Sequence, residues 1–150
     1  MSDEVTLRDV TARNWRAVAR LELDPAQEDL VASNLYSLAE ARFDPSARPR
    51  AIYAGKRLVG FLMYDIAETA DGQCEAAIYR FMIDRKHQGK GYGRGALAKA
   101  LDEIRDIAGV RKVVIGYMPE NPITKAFYAS FGFVEVGYDE DGEVIAELAL

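Results

Sequence analysis

Apolar and polar positions along this chain change period several times, and each change marks an element. Val5-Thr6-Leu7-Arg8 alternates with the two-residue period of a half-buried strand. Thr11 is placed to cap a helix with Trp15, Val18 and Ala19 on one face. Asp24-Pro25 interrupts it, and a second helical stretch runs to about Phe43, with Leu35, Leu38, Ala39 and Arg42 at helical spacing. Pro45 and Pro49 are read as its stop. Two apolar runs, 51–54 and 58–64, flank Gly55-Lys56 and predict a hairpin. Asp71-Gly72 marks a second turn. A strand over 76–83, a glycine loop and a helix over 93–108 follow, the helix carrying Leu97, Leu101, Ile104 and Ala108. Residues 110–117 form a strand, β-branched at Val113, Val114 and Ile115. A short helix over 122–131 precedes a closing hairpin, 133–138 with 143–150, around Asp141-Gly142. The order β-α-α-β-β-β-α-β-α-β-β combines hairpins with strand–helix–strand units. It predicts an α/β (α+β) fold: one domain over 1–150, with a mixed central sheet of six to seven strands flanked by about four helices.

Composition narrows the function. A net charge of -5 over 150 residues argues against a nucleic-acid binder, which needs a broad basic face. No apolar run reaches the roughly 20 residues of a membrane span, and the N-terminus carries no signal-peptide pattern, so a cytoplasmic protein is expected. A single cysteine, Cys74, excludes an internal disulfide; a single histidine, His87, argues against a histidine-based metal site, and no metal is expected. Against the acidic background stands one local cationic stretch. Arg85, Lys86, Lys90 and Arg94 surround Gln88-Gly89-Lys90-Gly91-Tyr92-Gly93, with no acid between Arg85 and Arg94. Glycines that feed a helix N-terminus let the backbone approach a ligand closely, and the unpaired N–H groups of the first turn attract anions. A phosphate or pyrophosphate suits such a loop, although a plain strand-to-helix turn would carry the same glycines. The spacing is neither the dinucleotide fingerprint nor the P-loop, because the final glycine step of the first and the Gly-Lys-Ser/Thr of the second are absent.

Gln88-x-x-Gly91-x-Gly93 resembles the acetyl-coenzyme A signature of the GNAT superfamily of N-acetyltransferases. Asn121, Tyr128 and Gly132-Phe133 resemble its second signature, with Thr124 where alanine is usual. The element order fits the superfamily over essentially the whole chain. The segments 25–27, 31–41 and 79–84, with Asp139-Glu140-Asp141-Gly142-Glu143 near the end, are similar to bacterial spermine/spermidine (diamine) acetyltransferases of that superfamily.

The resemblance implies acetyl-coenzyme A as donor and direct transfer in a ternary complex, through a tetrahedral intermediate, to a small amine, first a polyamine. It implies that the main chain of Phe81, Met82 and Ile83 binds the pantetheine arm, with an N–H at or near Met82 polarising the thioester carbonyl. Gln88, Gly89, Lys90, Gly91, Tyr92, Gly93 and Arg94 would cradle the pyrophosphate. Asn121 would hold the arm, or simply cap the helix that Pro122 opens. Tyr128 is implied as the general acid toward the departing thiolate, a job that suits a phenol neutral at pH 7; otherwise it is a buried aromatic beside Phe127 and Phe131. Glu75 stands in the region where the resemblance implies a water-linked carboxylate, and otherwise is an exposed strand-start residue. The position at which acetylases of ribosomal-protein N-termini carry a glutamate, twelve residues before the tyrosine, is Gly116 here. Glu22, Asp24, Glu28 and Asp29 form an acidic run where relatives shape the acceptor site, with Asp65 and Glu68 on the third strand. Together they fit an electrostatic funnel for a polycation. Acetylation of a protein lysine or N-terminus, or of an aminoglycoside, stays open, as does a coenzyme sensor without turnover. A homodimer is possible, since many relatives dimerise.

Overall fold

The computed structural model describes residues 4–23 and 33–150. Its strands are β1 (Val5–Asp9), β2 (Arg48–Ala54), β3 (Arg57–Glu68), β4 (Cys74–Ile83), β5 (Val110–Tyr117), β6 (Val134–Tyr138) and β7 (Val144–Ala149). The helices are α1 (Trp15–Ala19), α2 (Asn34–Phe43), α3 (Tyr92–Arg105) and α4 (Pro122–Ala129), with a 3-10 turn at Arg85–His87. One seven-stranded sheet has the order β1-β2-β3-β4-β5-β7-β6. Every neighbouring pair is antiparallel except β4–β5. The closing hairpin therefore folds back so that its second strand, not its first, docks on β5.

The parallel pair is the feature that positions the site. Its register runs only from Cys74↔Val110 to Ala77↔Val114. Beyond that point β4 stays with β3 as far as Ile83, and β5 stays with β7 as far as Tyr117. Each strand follows its antiparallel partner, and the two part. A bulge helps: Met63 pairs with Arg80 and Tyr64 with Ile78, which leaves Tyr79 as the extra residue on β4. A bulge bends its strand and raises the local twist. It also switches which positions face which layer. Ala76, Ile78, Phe81 and Ile83 pack with the α3 core, whereas Tyr79 and Met82 pack with Val18, Phe61 and Met63 on the opposite face.

The α3 core holds Leu97, Ile104, Ile52, Leu62 and Val113, all fully buried. Burying a side chain of this kind contributes about 1.5–3 kcal/mol, so helix and sheet form one rigid wall. Two expectations are corrected. The helix stop assigned to Pro49 comes earlier: α2 ends at Phe43, and Pro49 lies inside β2. It sits one residue past the last pairing with β1, at Arg50, where a missing N–H is tolerated. The buried face of α2 is also mixed rather than apolar, with Leu38 and Ala41 packed on the second core. Leu35 is 57% exposed, whereas Asn34 and Ser37 are buried. Polar contacts set the roll of the helix: Asn34 donates to the Val18 carbonyl at 2.9 Å, and Arg80 donates to Ser37 Oγ at 3.1 Å. Among the described residues no helix is long and apolar enough to cross a membrane.

Candidate active site

Where β4 and β5 part, they open a cleft of about 820 Å³. Its walls come from residues 78–83 of β4, Gln88, Gly89, Gly91, Tyr92 and Gly93 of the loop, residues 116–118 at the end of β5, the start of α4, Tyr128, Leu23 and Glu143. Segments far apart in sequence thus share one space.

At one end lies the glycine loop. Gly89 and Gly91 have φ of 78° and 82°, in the left-handed region that disfavours a side chain. A Cβ at either would touch nothing within 4 Å, so conformation rather than crowding requires glycine. Gly91 is the N-cap of α3; it offers no side-chain cap, and the first turn carries no acid. The N–H groups of Tyr92, Gly93 and Arg94 therefore begin a helix without an internal partner and carry the positive end of its dipole. Gln88 ties the loop to the strand, its Nε2 donating to the Ile83 carbonyl at 3.0 Å. The side chains around the loop are used differently from expectation. Tyr92 is buried in the core although it lines the cleft. Lys90 is exposed and outside the cleft lining. Arg94 turns toward α4, donating to Ser130 Oγ at 2.8 Å and stacking over Phe127 and Phe131. Only its main-chain N–H is left at the anion end.

Along β4 the main chain decides. Asp84 donates its N–H to the Val59 carbonyl at 2.8 Å, and the Met82 carbonyl lies against Gly60 on the β3 side. Main-chain groups alternate sides along a strand. Met82 therefore turns to β3, and Phe81 and Ile83 face the open edge. Of the N–H groups at or near Met82, those on the open edge are therefore at Phe81 and Ile83.

Asn121 does what its capping role requires: its side chain accepts the N–H of Thr124 at 3.1 Å while lining the cleft. Tyr128 stacks on Tyr117 with ring centroids 5.8 Å apart and meets Phe127 and Phe133 edge-on. Burial pushes its phenol up to about 12, so it holds its proton throughout the neutral range. No hydrogen bond to its hydroxyl is made by the described residues, so it remains available as a donor.

The predicted carboxylates are not brought here. Glu75 sits at the paired end of β4, outside the cleft lining, 3.5 Å from Lys112 Nζ. Glu22 pairs with Arg85 at 3.2 Å and also lies outside the lining; a basic partner absent from its own stretch arrives from the 3-10 turn. Asp24, Glu28 and Asp29 lie outside the described residues. Instead Glu120 and Glu143 line the cleft. Glu143 follows the turn of the last hairpin, and nothing but the sheet order could bring it here. Its carboxyl is held above the usual carboxylate range by desolvation and by the nearby charge of Asp139. Asp65 is raised as well, by burial and by Asp44 and Glu40. Among the described residues no group of three or more His, Cys, Asp or Glu is arranged to hold a metal.

The cleft fits the donor named by the signature. An uncapped helix start and two left-handed glycines suit a pyrophosphate, and the splayed edge offers main-chain partners to an extended amide arm. A model of the Acetyltransferase (GNAT) family matches residues 12–133. The chain is similar to the spermine/spermidine N(1)-acetyltransferase of Bacillus subtilis (strain 168), at 26% identity over 145 residues, covering 94% of this chain and 95% of that protein. Its fold is similar to the spermidine N-acetyltransferase of Vibrio cholerae in complex with CoA and spermine, with a TM-score of 0.73 at 22% identity over 98% of this chain and 95% of the other. The PaiA N-acetyltransferase of Thermoplasma acidophilum in complex with coenzyme A gives a TM-score of 0.72 at 16% identity, covering 97% and 99%. With the family match spanning most of the chain and the signature loop standing at the parted strands, this chain belongs to the GNAT family and is an acetyl-coenzyme A-dependent N-acetyltransferase.

Proposed function

We propose that this enzyme acetylates a primary amine of a polyamine such as spermine or spermidine, by direct transfer within a ternary complex. The observation that carries the reading is the shared cleft, lined at once by the glycine loop, by Tyr128 and by two carboxylates. The donor supplies an acetyl group already activated as a thioester. The helix start at Tyr92–Arg94 and the loop glycines hold its pyrophosphate; Phe81, Ile83 and Asn121 hold the arm. Tyr128, neutral at pH 7, donates its proton to the leaving sulfur. On the acceptor side the charge balance favours a polycation. Glu120 and Glu143 line the cleft, and the charge of its one arginine, Arg80, is met by Glu40 at 3.6 Å. The similarity to spermine/spermidine acetyltransferases over nearly the whole chain supports the same choice.

An acceptor screen reporting free coenzyme A tests it. Spermine and spermidine should give the highest kcat/KM in a panel that also holds a lysine peptide, an N-terminal peptide and an aminoglycoside. Turnover of a peptide or aminoglycoside with none of the polyamines would remove the polyamine assignment.

A further inference from the structure

The amine has to lose a proton before it can attack. An alkyl ammonium has a pKa near 10.4, so holding it neutral at pH 7 costs roughly 4.6 kcal/mol. The carboxylate expected to help, Glu75, is tied to Lys112 away from the cleft, and Glu22 of the acidic run is paired with Arg85. We propose that Glu143 is the general base of this enzyme, its carboxylate reaching from the start of β7 into the space above Gly116.

The geometry is specific. β7 lies against β5 with Gly116 opposite Ile145 and Tyr117 opposite Val144. Glu143 is the next residue along, at the mouth of the splay. A Cβ added to Gly116 would stand 3.5 Å from Glu143 Oε2. Gly116 has no side chain and so leaves that space to the carboxylate. Gly116 and Tyr117 face opposite sides of the sheet, and Tyr117 carries Tyr128 on its ring; the cleft at the parted strands is lined by Glu143 from one side and Tyr128 from the other. Of the two carboxylates lining the cleft among the described residues, Glu120 is exposed and Glu143 is partly buried. Asp139 Oδ1 accepts the N–H groups of Asp141 and Glu143, each at 2.9 Å, and so holds the hairpin that presents Glu143. A carboxylate held partly out of water is a stronger base than a solvated one.

The proton balance closes. Glu143 takes one proton from the ammonium and frees the nitrogen lone pair. The N–C bond forms and the C–S bond breaks; sulfur leaves with the bonding pair and takes the Tyr128 proton. The second proton of the nitrogen returns to the phenolate, and Glu143 gives its own to solvent.

The test uses whichever amine the wild type turns over fastest, so it does not depend on that amine being a polyamine; a peptide winner would overturn the polyamine reading and leave this experiment intact. Glu143→Gln should lower kcat/KM about 100-fold, within the usual range for a positioned base, with coenzyme A affinity by calorimetry unchanged. The wild-type rate should fall as pH drops through the raised pKa of Glu143, because only the ionised form accepts a proton. Glu143→Gln should lose that acid limb. The charged groups acting on the carboxylate, Asp139 and Asp141 in its hairpin, and Arg80, His87 and Glu120, which line the same cleft, are the same in both proteins. Gly116→Glu in the Glu143→Gln background should restore at least about tenfold of the loss, since its Cβ would make only ordinary contacts with Ile145 and Val144. Retained kcat/KM in Glu143→Gln, a fall that leaves the acid limb in place, or a fall that Gly116→Glu does not reverse would each overturn the assignment. Glu143→Asp, with partial activity expected, serves as the folded control.

Discussion

The two ends of the cleft are built in opposite ways. The end proposed for the donor is one continuous stretch, Gln88–Gly93 and the start of α3, and it offers main chain: left-handed glycines and unpartnered N–H groups. The end proposed for the acceptor is a collection of side chains from the segment after α1, from β4, β5 and the β6–β7 hairpin. A main-chain site is insensitive to which side chains surround it, and here Arg94, Lys90 and Tyr92 are free to serve elsewhere. A side-chain site depends on every strand arriving in register. It follows that changes at the donor end should move coenzyme affinity whatever the amine, and changes at the acceptor end should move turnover with coenzyme affinity intact.

The largest effect tests the seam between the two ends. Tyr128→Phe keeps the aromatic stack on Tyr117 and removes only the hydroxyl. Steady-state kinetics should show kcat lowered about 100-fold, with coenzyme A affinity nearly unchanged. The phenol stands near 12 and remains protonated as pH rises. The wild-type rate should therefore show no alkaline limb from Tyr128 between about pH 7 and 10. A large loss of coenzyme affinity in Tyr128→Phe would mean the two ends are not separable.

Gly91→Val should act on the donor end alone. Forcing a side chain into a left-handed residue costs roughly 1–2 kcal/mol, and nothing nearby would clash. Coenzyme A binding by calorimetry should weaken roughly tenfold, and equally for every amine in the panel. Unchanged affinity would show that the loop is a turn and not a cradle.

The smallest effect sharpens the division at Asn121. Loss of its cap to the Thr124 N–H should lower stability by about 1 kcal/mol in Asn121→Ala, read by denaturant unfolding. If Asn121 also holds the donor, coenzyme affinity should fall a further few-fold at temperatures well below the transition. A pure stability change would leave it as a helix cap.

Much of the donor end was legible along the chain. Strand, loop and helix are consecutive, and glycine spacing is a local property. The prediction for β5, residues 110–117, coincides with the strand observed. The acceptor end was not legible, and particular residues show why. Glu22 sits in a run without bases, yet Arg85 pairs with it from 63 positions away. Glu75 starts a strand facing a lysine that only the parallel register brings opposite. Glu143 reads as the end of a hairpin turn until β7 is known to lie between β5 and β6.

Hydrophobic period and turn residues determined the elements and their order, because both act over a few neighbouring positions. They also determined the glycine loop, whose conformation depends on two glycines and a helix start. Which carboxylates line the cleft was decided by tertiary structure. Charge–charge proximity depends on strand order and register, and those follow from how whole elements bury their faces together.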